Sequence, residues 1–148
     1  MKICVHQTID EIDADEWNRL AGDDPFLHHE FLAALEHSGS ACSASGWQPQ
    51  HLTCTDANGR LIGALPLYLK SHSFGEYVFD WAWADAWQRA GLPYYPKLTS
   101  AVPFSPVPGQ RLLIDPQAGR AAVSDALLTA CVELAETLNA SSVHCLFQ

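Results

Sequence analysis

Basic residues are scarce in this chain. Only 8 of its 148 residues are Lys or Arg, against 17 Asp and Glu, which gives a formal net charge of -9 at pH 7. An acidic surface repels nucleic-acid phosphates and anionic lipid headgroups. The composition therefore argues against a nucleic-acid partner and against binding to a membrane surface.

Long apolar segments are also missing. No stretch approaches the roughly 20 apolar residues that a membrane-spanning helix needs. The first residues turn acidic quickly and lack the apolar core of a signal peptide. We therefore expect no membrane span and a cytoplasmic location.

Cysteine and histidine occur without the spacing of a metal site. The 5 cysteines are far apart and include no CxxC pair, which argues against a zinc ribbon or a thioredoxin-like centre. We expect free thiols that pack as small apolar side chains. His28, His29 and Glu30 are consecutive, so on a helix they point to different sides. The sequence predicts no bound metal.

Apolar residues are abundant enough to build a core. The chain is 48% hydrophobic and 17% charged, which is typical of a folded globular protein. Its length suits one domain over residues 1–148. Strand and helix patterns alternate, so we expect an α/β (α+β) fold in which helices flank a mixed central sheet.

Periodicity and turn residues give the expected elements. Strands are predicted over residues 2–8, 50–55, 61–69, 111–114 and 142–147. Helices are predicted after the N-cap Asp13 and over residues 28–37, 82–90 and 120–139. Pro66 cannot donate to a strand ladder, so we expect a bulge or an unpaired edge there.

Residues 71–109 are rich in aromatics, glycine and proline. We expect a strand near residues 77–80, the helix over 82–90, and otherwise an ordered loop braced by prolines. A loop of this length is typically functional. Trp83 and Trp87 are one helical turn apart and are expected to pack in the core; alternatively, they line a pocket for an acyl chain or a sugar together with Trp81.

The chain ends on an apolar strand pattern, as though a longer protein had been divided within a sheet. An open strand near residues 143–147 would expose backbone donors and acceptors. We therefore expect a homodimer, or strand exchange, across this edge.

Six runs carry a resemblance to a known family. They lie at residues 25–27, 46–52, 63–73, 75–84, 94–98 and 101–104. Together they are similar to the FemAB-like predicted N-acyltransferases of the GNAT superfamily, linked to peptidoglycan biosynthesis. Members of this family are longer and have two GNAT-like halves, so the chain resembles the N-terminal portion only.

The resemblance implies an activity and a cosubstrate. Family members are expected to transfer an acyl group from acyl-CoA, or from an aminoacyl donor, to a small-molecule or peptide amine. No tightly bound cofactor is implied. The fragment alone is expected to be inactive without the missing C-terminal half.

In GNAT enzymes the donor's pyrophosphate lies on backbone N–H groups at a helix start. The matching residues here are Gln117, Ala118, Gly119 and Arg120. Gln117 and Gly119 are one residue closer together than the family pattern requires. The alternative is an ordinary turn that leads into a helix.

Acylation of an amine needs a base for the ammonium proton and an acid for the leaving group. The candidate bases are Glu76, Asp80 and Asp85, and the candidate acids are Tyr94 and Tyr95. Asp80 is alternatively a helix N-cap or a partner of an indole N–H, and the tyrosines alternatively pack with a wet hydroxyl.

Four further residues are candidates for substrate binding. Trp81 and Phe104 are aromatic surfaces for an acyl chain or a sugar, and Lys97 and Arg111 are cations for a carboxylate or phosphate. Alternatively, the two cations lie at the surface or pair with acids.

Two other functions remain open. The chain could be a non-catalytic scaffold for a catalytic second half, which the imperfect phosphate-binding pattern favours. It could also be a binding module whose aromatic segment captures a peptide or a peptidoglycan-like ligand. Protection from unfolding by acyl-CoA would favour catalysis, whereas ligand binding without CoA would favour the module.

Overall fold

The computed structural model describes residues 1–148 and shows a mixed α/β fold, as expected. The strands are β1 (Lys2–His6), β2 (Trp47–Pro49), β3 (His51–Thr55), β4 (Leu61–Leu65), β5 (Tyr68–Lys70), β6 (Lys97–Ser100), β7 (Leu113–Ile114) and β8 (Val143–Cys145). The helices are α1 (Ala14–Ala21), α2 (His29–His37), α3 (Trp81–Arg89) and α4 (Arg120–Thr137), and a 3₁₀ turn covers Ile9–Glu11.

The strands form two four-stranded sheets with the orders β1-β3-β4-β7 and β2-β5-β6-β8. All neighbouring strands are antiparallel except β6 and β8, which run parallel. The expected strand over 61–69 is therefore two strands in different sheets. Pro66 lies between them, and the disturbance predicted at this proline is the point where the chain crosses from one sheet to the other.

Helices cover both faces of the first sheet. Trp17 of α1 and Leu32 of α2 belong to one buried cluster, and the cluster on the other side contains Val123 and Leu127 of α4. A Cβ at Gly63 of β4 would lie only 2.4 Å from Cγ1 of Val123. Helix α4 therefore packs directly on the backbone of β4.

Local signals place the first and last helices as expected. The side chain of Asp13 accepts a hydrogen bond from the backbone N–H of Glu16, and α1 ends at Gly22, whose φ is +66°. The spacing of Val123, Leu127, Cys131, Leu134 and Leu138 predicts one apolar stripe on α4. The first three are buried, together with Ala135, and the two leucines are partly buried against the same cluster.

The aromatic segment differs from its prediction in three ways. Residues 77–80 form no strand, because Gly75 and Tyr77 have φ values of +79° and +57°, which extended pairing does not allow. Strand β6 was expected to be loop, yet it lies inside the second sheet. Helix α3 has no buried residue and Trp83 is 68% exposed, so core packing was wrong for Trp83.

All five cysteines are free; Cys54 and Cys131 are buried as expected, but Cys145 is exposed. No cluster of three or more His, Cys, Asp or Glu side chains is arranged to hold a metal ion. None of the helices has the length and apolar character needed to cross a membrane.

Candidate active site

Four charged side chains are enclosed in the second sheet and the loop that follows β5. Lys70 and Lys97 are each 0% exposed, Glu76 is 2% exposed and Asp80 is 5% exposed. Lys70 on β5 and Lys97 on β6 are direct cross-strand partners. The loop between β5 and α3 then folds back and brings both carboxylates to the two ammonium groups. We call these four residues the buried charge cluster.

Lys97 is the centre of this cluster. Its Nζ lies 2.8 Å from Oε2 of Glu76 and 2.7 Å from Oδ2 of Asp80. Buried charges are stable only when they are paired and hydrogen-bonded. The two positive and two negative groups balance, which explains how they can all be enclosed.

Lys70 sits on an aromatic ring rather than in a close ion pair. Its Nζ lies 3.7 Å from the ring centroid of Trp47 and 4.0 Å from Oε1 of Glu76. It also donates to the carbonyl of Phe74 at 3.2 Å, and Nε1 of Trp47 donates to the same carbonyl at 3.1 Å. Trp47 and Lys70 therefore hold the start of the aromatic loop together.

Asp80 uses one oxygen for all its partners. Oδ2 accepts hydrogen bonds from Lys97 Nζ, from the hydroxyl of Tyr94 at 2.7 Å and from the hydroxyl of Ser73 at 2.9 Å. Because Ser73 donates to Asp80, its oxygen accepts from the hydroxyl of Tyr95 at 2.7 Å. Oδ1 of Asp80 has no partner in the chain, and neither does Oε1 of Glu76. Asp80 occupies the N-cap position of α3, but its side chain makes no capping bond.

The surroundings shift the pKa values of the groups in the cluster in different directions. Burial raises the pKa of Glu76 above its usual range, against the opposing effect of Lys97 and Lys70. Burial also acts on Asp80, but the bonds from Lys97, Tyr94 and Ser73 outweigh it and leave the pKa of Asp80 lowered. Burial, with repulsion from Lys97, lowers the pKa of Lys70 to about 7 against the attraction of Glu76. Asp80 is therefore held as a carboxylate.

An open groove of about 370 Å³ reaches this cluster. Its lining is Val78, Asp80, Trp83, Trp87, Tyr94, Ser142 and His144. The first five come from the aromatic segment and the last two from the region of β8. We call it the Asp80 groove. Aromatic walls with a carboxylate at one point suit a ligand that has an apolar body and a positive group.

His144 is a groove residue that the sequence analysis missed. It lies on β8, and its Nε2 is 2.8 Å from Oγ of Ser142. Burial and the positive charge of Lys97 lower the pKa of His144, against the effect of Asp80, so the imidazole is neutral at physiological pH. A lone histidine in a final strand carries no local signal, and only the parallel pairing of β8 with β6 brings it near Lys97.

The remaining catalytic and substrate candidates lie outside this constellation. Asp85 is exposed on α3 and pairs with Arg89 one turn later. Trp81 is 51% exposed and packs edge-on against Phe74, while Phe104 packs against Trp47.

Arg111 is fully buried, and its guanidinium donates to the carbonyls of Val107, Gly109, Gln110 and Leu146. The alternative that Arg111 lies at the surface or pairs with an acid is therefore wrong, whereas a role in ligand binding stays a prediction. The guanidinium N–H groups of Arg111 bind backbone carbonyls and so stabilise the loop before β7.

The predicted donor-binding turn lies where expected, between β7 and α4. Gly119 is the N-cap residue of α4, and the N–H groups of Gly119 and Arg120 have no partner in the chain. The N–H of Gln117 is already used by Oδ1 of Asp115 at 2.8 Å, and that of Ala118 by the carbonyl of Asp115. The turn thus keeps part of the backbone donor set that an anion needs.

Arginine side chains border this turn. Arg19 and Arg60 both contact Oδ2 of Asp115, at 2.7 and 2.8 Å. Arg120 lines a groove of about 550 Å³ together with Arg19 and Asp115. The turn and the Asp80 groove share no lining residue, so the chain presents two separate candidate places.

The fold is that of the GNAT acetyltransferases. The chain superposes on an aminoglycoside 6'-N-acetyltransferase from Acinetobacter haemolyticus with a TM-score of 0.54 and 12% identity, over 98% of this chain and 78% of that one. A second such enzyme, from Acinetobacter baumannii, gives a TM-score of 0.54 and 11% identity, over 97% and 77%. At these identities the likeness is one of fold.

Comparison of the sequence with protein families gives a narrower assignment than the fold. Residues 8–148 match the FemAB-like family, described as peptidoglycan biosynthesis/recognition. The chain belongs to this family, as the resemblance predicted. No curated protein matches it at a significant level.

Proposed function

We propose that this chain is an N-acyltransferase domain that moves an acyl group from acyl-CoA, or from an aminoacyl donor, to an amine. In place of the inactivity expected of the fragment, the proposal is that the chain does so alone, because both candidate places lie within it. The family and the GNAT fold support acyl transfer as the reaction class. The observation that carries the assignment is Asp80: its carboxylate is buried, one carboxylate oxygen has no hydrogen-bond partner, and the residue lines an open groove.

In this proposal the buried charge cluster positions the acceptor. Lys97, Tyr94 and Ser73 all bond to Oδ2 and so fix the carboxylate of Asp80 before any ligand arrives, while Oδ1 is left without a partner. Preorganised groups of this kind lower a barrier because they need no rearrangement during the reaction. Glu76 is enclosed and paired with Lys97, so it supports the site from behind.

The donor would be held at the start of α4. The free N–H groups of Gly119 and Arg120, with the helix dipole, favour a pyrophosphate. Gln117 and Ala118 would shape the turn, because their own N–H groups bond to Asp115. Acyl-CoA is a cytoplasmic metabolite, so the proposal places the protein in the cytoplasm.

Calorimetric titration with acetyl-CoA tests the donor half of this proposal. We expect saturable binding that is weakened at least tenfold by Arg120→Glu, since that change puts a negative charge beside the pyrophosphate. Arg89→Glu on exposed α3 is the matched control and should leave binding unchanged. No binding by the wild-type chain, or equal weakening by both variants, would refute acyl-CoA binding at this turn.

A second function is favoured by the exposed aromatic rings of residues 74–83. Contiguous patches of exposed apolar side chains mark binding surfaces. The rings are Phe74, Tyr77, Phe79, Trp81 and Trp83, with exposures of 61%, 58%, 86%, 51% and 68%. In this alternative the chain is a scaffold or a module that recognises peptide or glycan ligands and performs no chemistry. Binding of peptidoglycan fragments without any acyl transfer would support it.

A further inference from the structure

We propose that the Asp80 groove binds the primary ammonium group of the acyl acceptor and that Nδ1 of His144 takes its proton. The proton step rests on the proposed function, whereas ammonium binding does not. Three features carry the inference: the hydrogen-bond chain behind His144, the unpartnered oxygen of Asp80 and the aromatic walls.

The hydrogen-bond chain fixes the tautomer of His144. The hydroxyl of Ser141 donates to the carbonyl of Tyr94, which can only accept. Oγ of Ser141 therefore accepts from the hydroxyl of Ser142, 3.2 Å away. Oγ of Ser142 must in turn accept from Nε2–H of His144 at 2.8 Å. Nδ1 is left as a lone-pair acceptor with no partner in the chain.

Asp80 supplies the negative charge that an ammonium group requires. It is 95% enclosed, yet its Oδ1 accepts no hydrogen bond. A buried acceptor without a hydrogen bond costs free energy. A ligand N–H that enters through the groove would satisfy it. The rings of Trp83, Trp87 and Tyr94 line the same groove, and the faces of aromatic rings attract cations.

The step balances with an acyl thioester as co-reactant. One proton of the ammonium passes to Nδ1 of His144 and from there to water, which leaves a neutral amine. The amine nitrogen forms the C–N bond to the acyl carbon as the C–S bond breaks. Its second proton goes to the departing thiolate. The apolar walls assist the first transfer, because desolvation lowers the pKa of an ammonium group toward that of an imidazole.

The charges that face His144 set its pH range. Lys97 on β6 and burial lower the pKa of the imidazole, and Asp80 at the start of α3 raises it; Tyr94 contacts the ring with centroids 6.1 Å apart. Below that pKa the imidazolium would repel an ammonium ligand. Asp80 stays ionised in this range because its pKa is lowered. The pKa of Glu76 is raised and Glu76 shares Lys97 with Asp80, so His144 is reported only by the part of the acid dependence that is lost when His144 is replaced.

The test uses Nα-acetyl-lysine amide and its Nε-acetylated form, without any acyl donor. The two probes differ only in the ammonium group, which has a pKa of ~10.4 and so stays charged from pH 5 to 8. NMR of ¹⁵N-histidine-labelled protein should show saturable shifts at His144 with the free amine and at least tenfold weaker binding of the acetylated probe. The same spectra should show the Nε2–H tautomer of His144.

Variants separate the parts of the site. Asp80→Asn should abolish the preference for the amine. His144→Gln keeps a donor for Ser142 but lacks Nδ1, and it should abolish the loss of binding on acidification. His37→Gln, at the exposed last residue of α2, is the control and should change neither. Equal binding of the two probes, an Nδ1–H tautomer, or an unchanged acid dependence in His144→Gln would overturn the inference.

These outcomes are independent of acyl transfer. Ammonium binding with no transfer would leave the site standing and refute the proposed function. Transfer that proceeds unaltered in His144→Gln would support the proposed function and would refute the assignment of the proton to His144.

Discussion

Nζ of Lys97 lies 2.7 Å from Oδ2 of Asp80, and both side chains are enclosed although 17 residues separate them. The contact links strand β6 to the first residue before α3 and fixes the end of the aromatic loop. A buried ion pair adds little net stability by itself, but removal of one partner leaves the other charge buried without compensation. The effect of the pair on stability is therefore measured most clearly by replacing one of its two residues.

Lys97→Met should destabilise the fold strongly. The change leaves the carboxylates of Glu76 and Asp80 buried without their shared partner, and we expect a loss of about 3–5 kcal/mol in the free energy of unfolding. Urea denaturation measures it. The exposed Lys2→Met is the control and should cost less than about 0.5 kcal/mol. A loss below about 1 kcal/mol for Lys97→Met would show that the cluster is not stabilised by this residue.

Lys70 should make the protein more stable as the pH rises from 7 to 9. Its pKa is lowered to about 7 in the folded state, against ~10.4 in an unfolded chain. The unfolded state therefore binds more protons in this window, and the free energy of unfolding rises with pH by up to about 2.5 kcal/mol.

The measurement is the free energy of unfolding against pH for wild type and Lys70→Met. Other groups titrate in both proteins, so the difference between the two curves isolates Lys70. A constant difference from pH 7 to 9 would contradict a lowered pKa for this lysine.

Gly63→Ala should destabilise the contact between β4 and α4. The new Cβ would lie 2.4 Å from Cγ1 of Val123 and 3.2 Å from Cδ1 of Leu127, and overpacking of this kind costs about 1–3 kcal/mol. Gly119→Ala is the control, because its Cβ meets no atom within 4 Å. Thermal unfolding should show a lower midpoint for Gly63→Ala alone, and Val123→Ala in the same chain should recover part of the loss. Equal midpoints for the two glycine variants would contradict close packing at Gly63.

Strand β8 should support self-association. It is the terminal strand of the second sheet, and Val143 is 42% exposed. Unpaired strand edges pair readily with another chain. Light scattering over a dilution series should therefore show a dimer that dissociates on dilution, and Val143→Lys should favour the monomer. A monodisperse monomer at every concentration would refute the dimer.

The sequence predicts the elements whose signals are local. Asp13 and Gly22 mark the ends of α1, and the apolar spacing of α4 matches its buried face. The fold class and the family also follow from the sequence. The helix ends and the apolar face depend on residues that are close in sequence, so they can be predicted without knowledge of the tertiary structure.

The aromatic segment was harder because its signals are not local. A lysine at residue 97 argues against a central strand, and only its pairing with Glu76 and Asp80 allows it to be buried there. The acidic and tyrosine candidates in this segment were found by residue type. Glu76 and Asp80 belong to the buried charge cluster, Tyr94 bonds to Asp80, and Tyr95 reaches Asp80 through Ser73. Lys70 and His144 were missed because the pairing of β5, β6 and β8, which brings them there, cannot be inferred from residue spacing.

The central claim is acyl transfer to an amine, and the most direct measurement is amine-dependent release of CoA from acetyl-CoA, with the acetylated product identified by mass spectrometry. The assay compares wild type, Asp80→Asn and the exposed control Asp85→Asn over a panel of small-molecule and lysine-containing peptide amines. The account predicts product with wild type and Asp85→Asn, and at least a hundredfold less with Asp80→Asn. No acetylated amine with the wild-type chain, or equal rates for all three proteins, would contradict it.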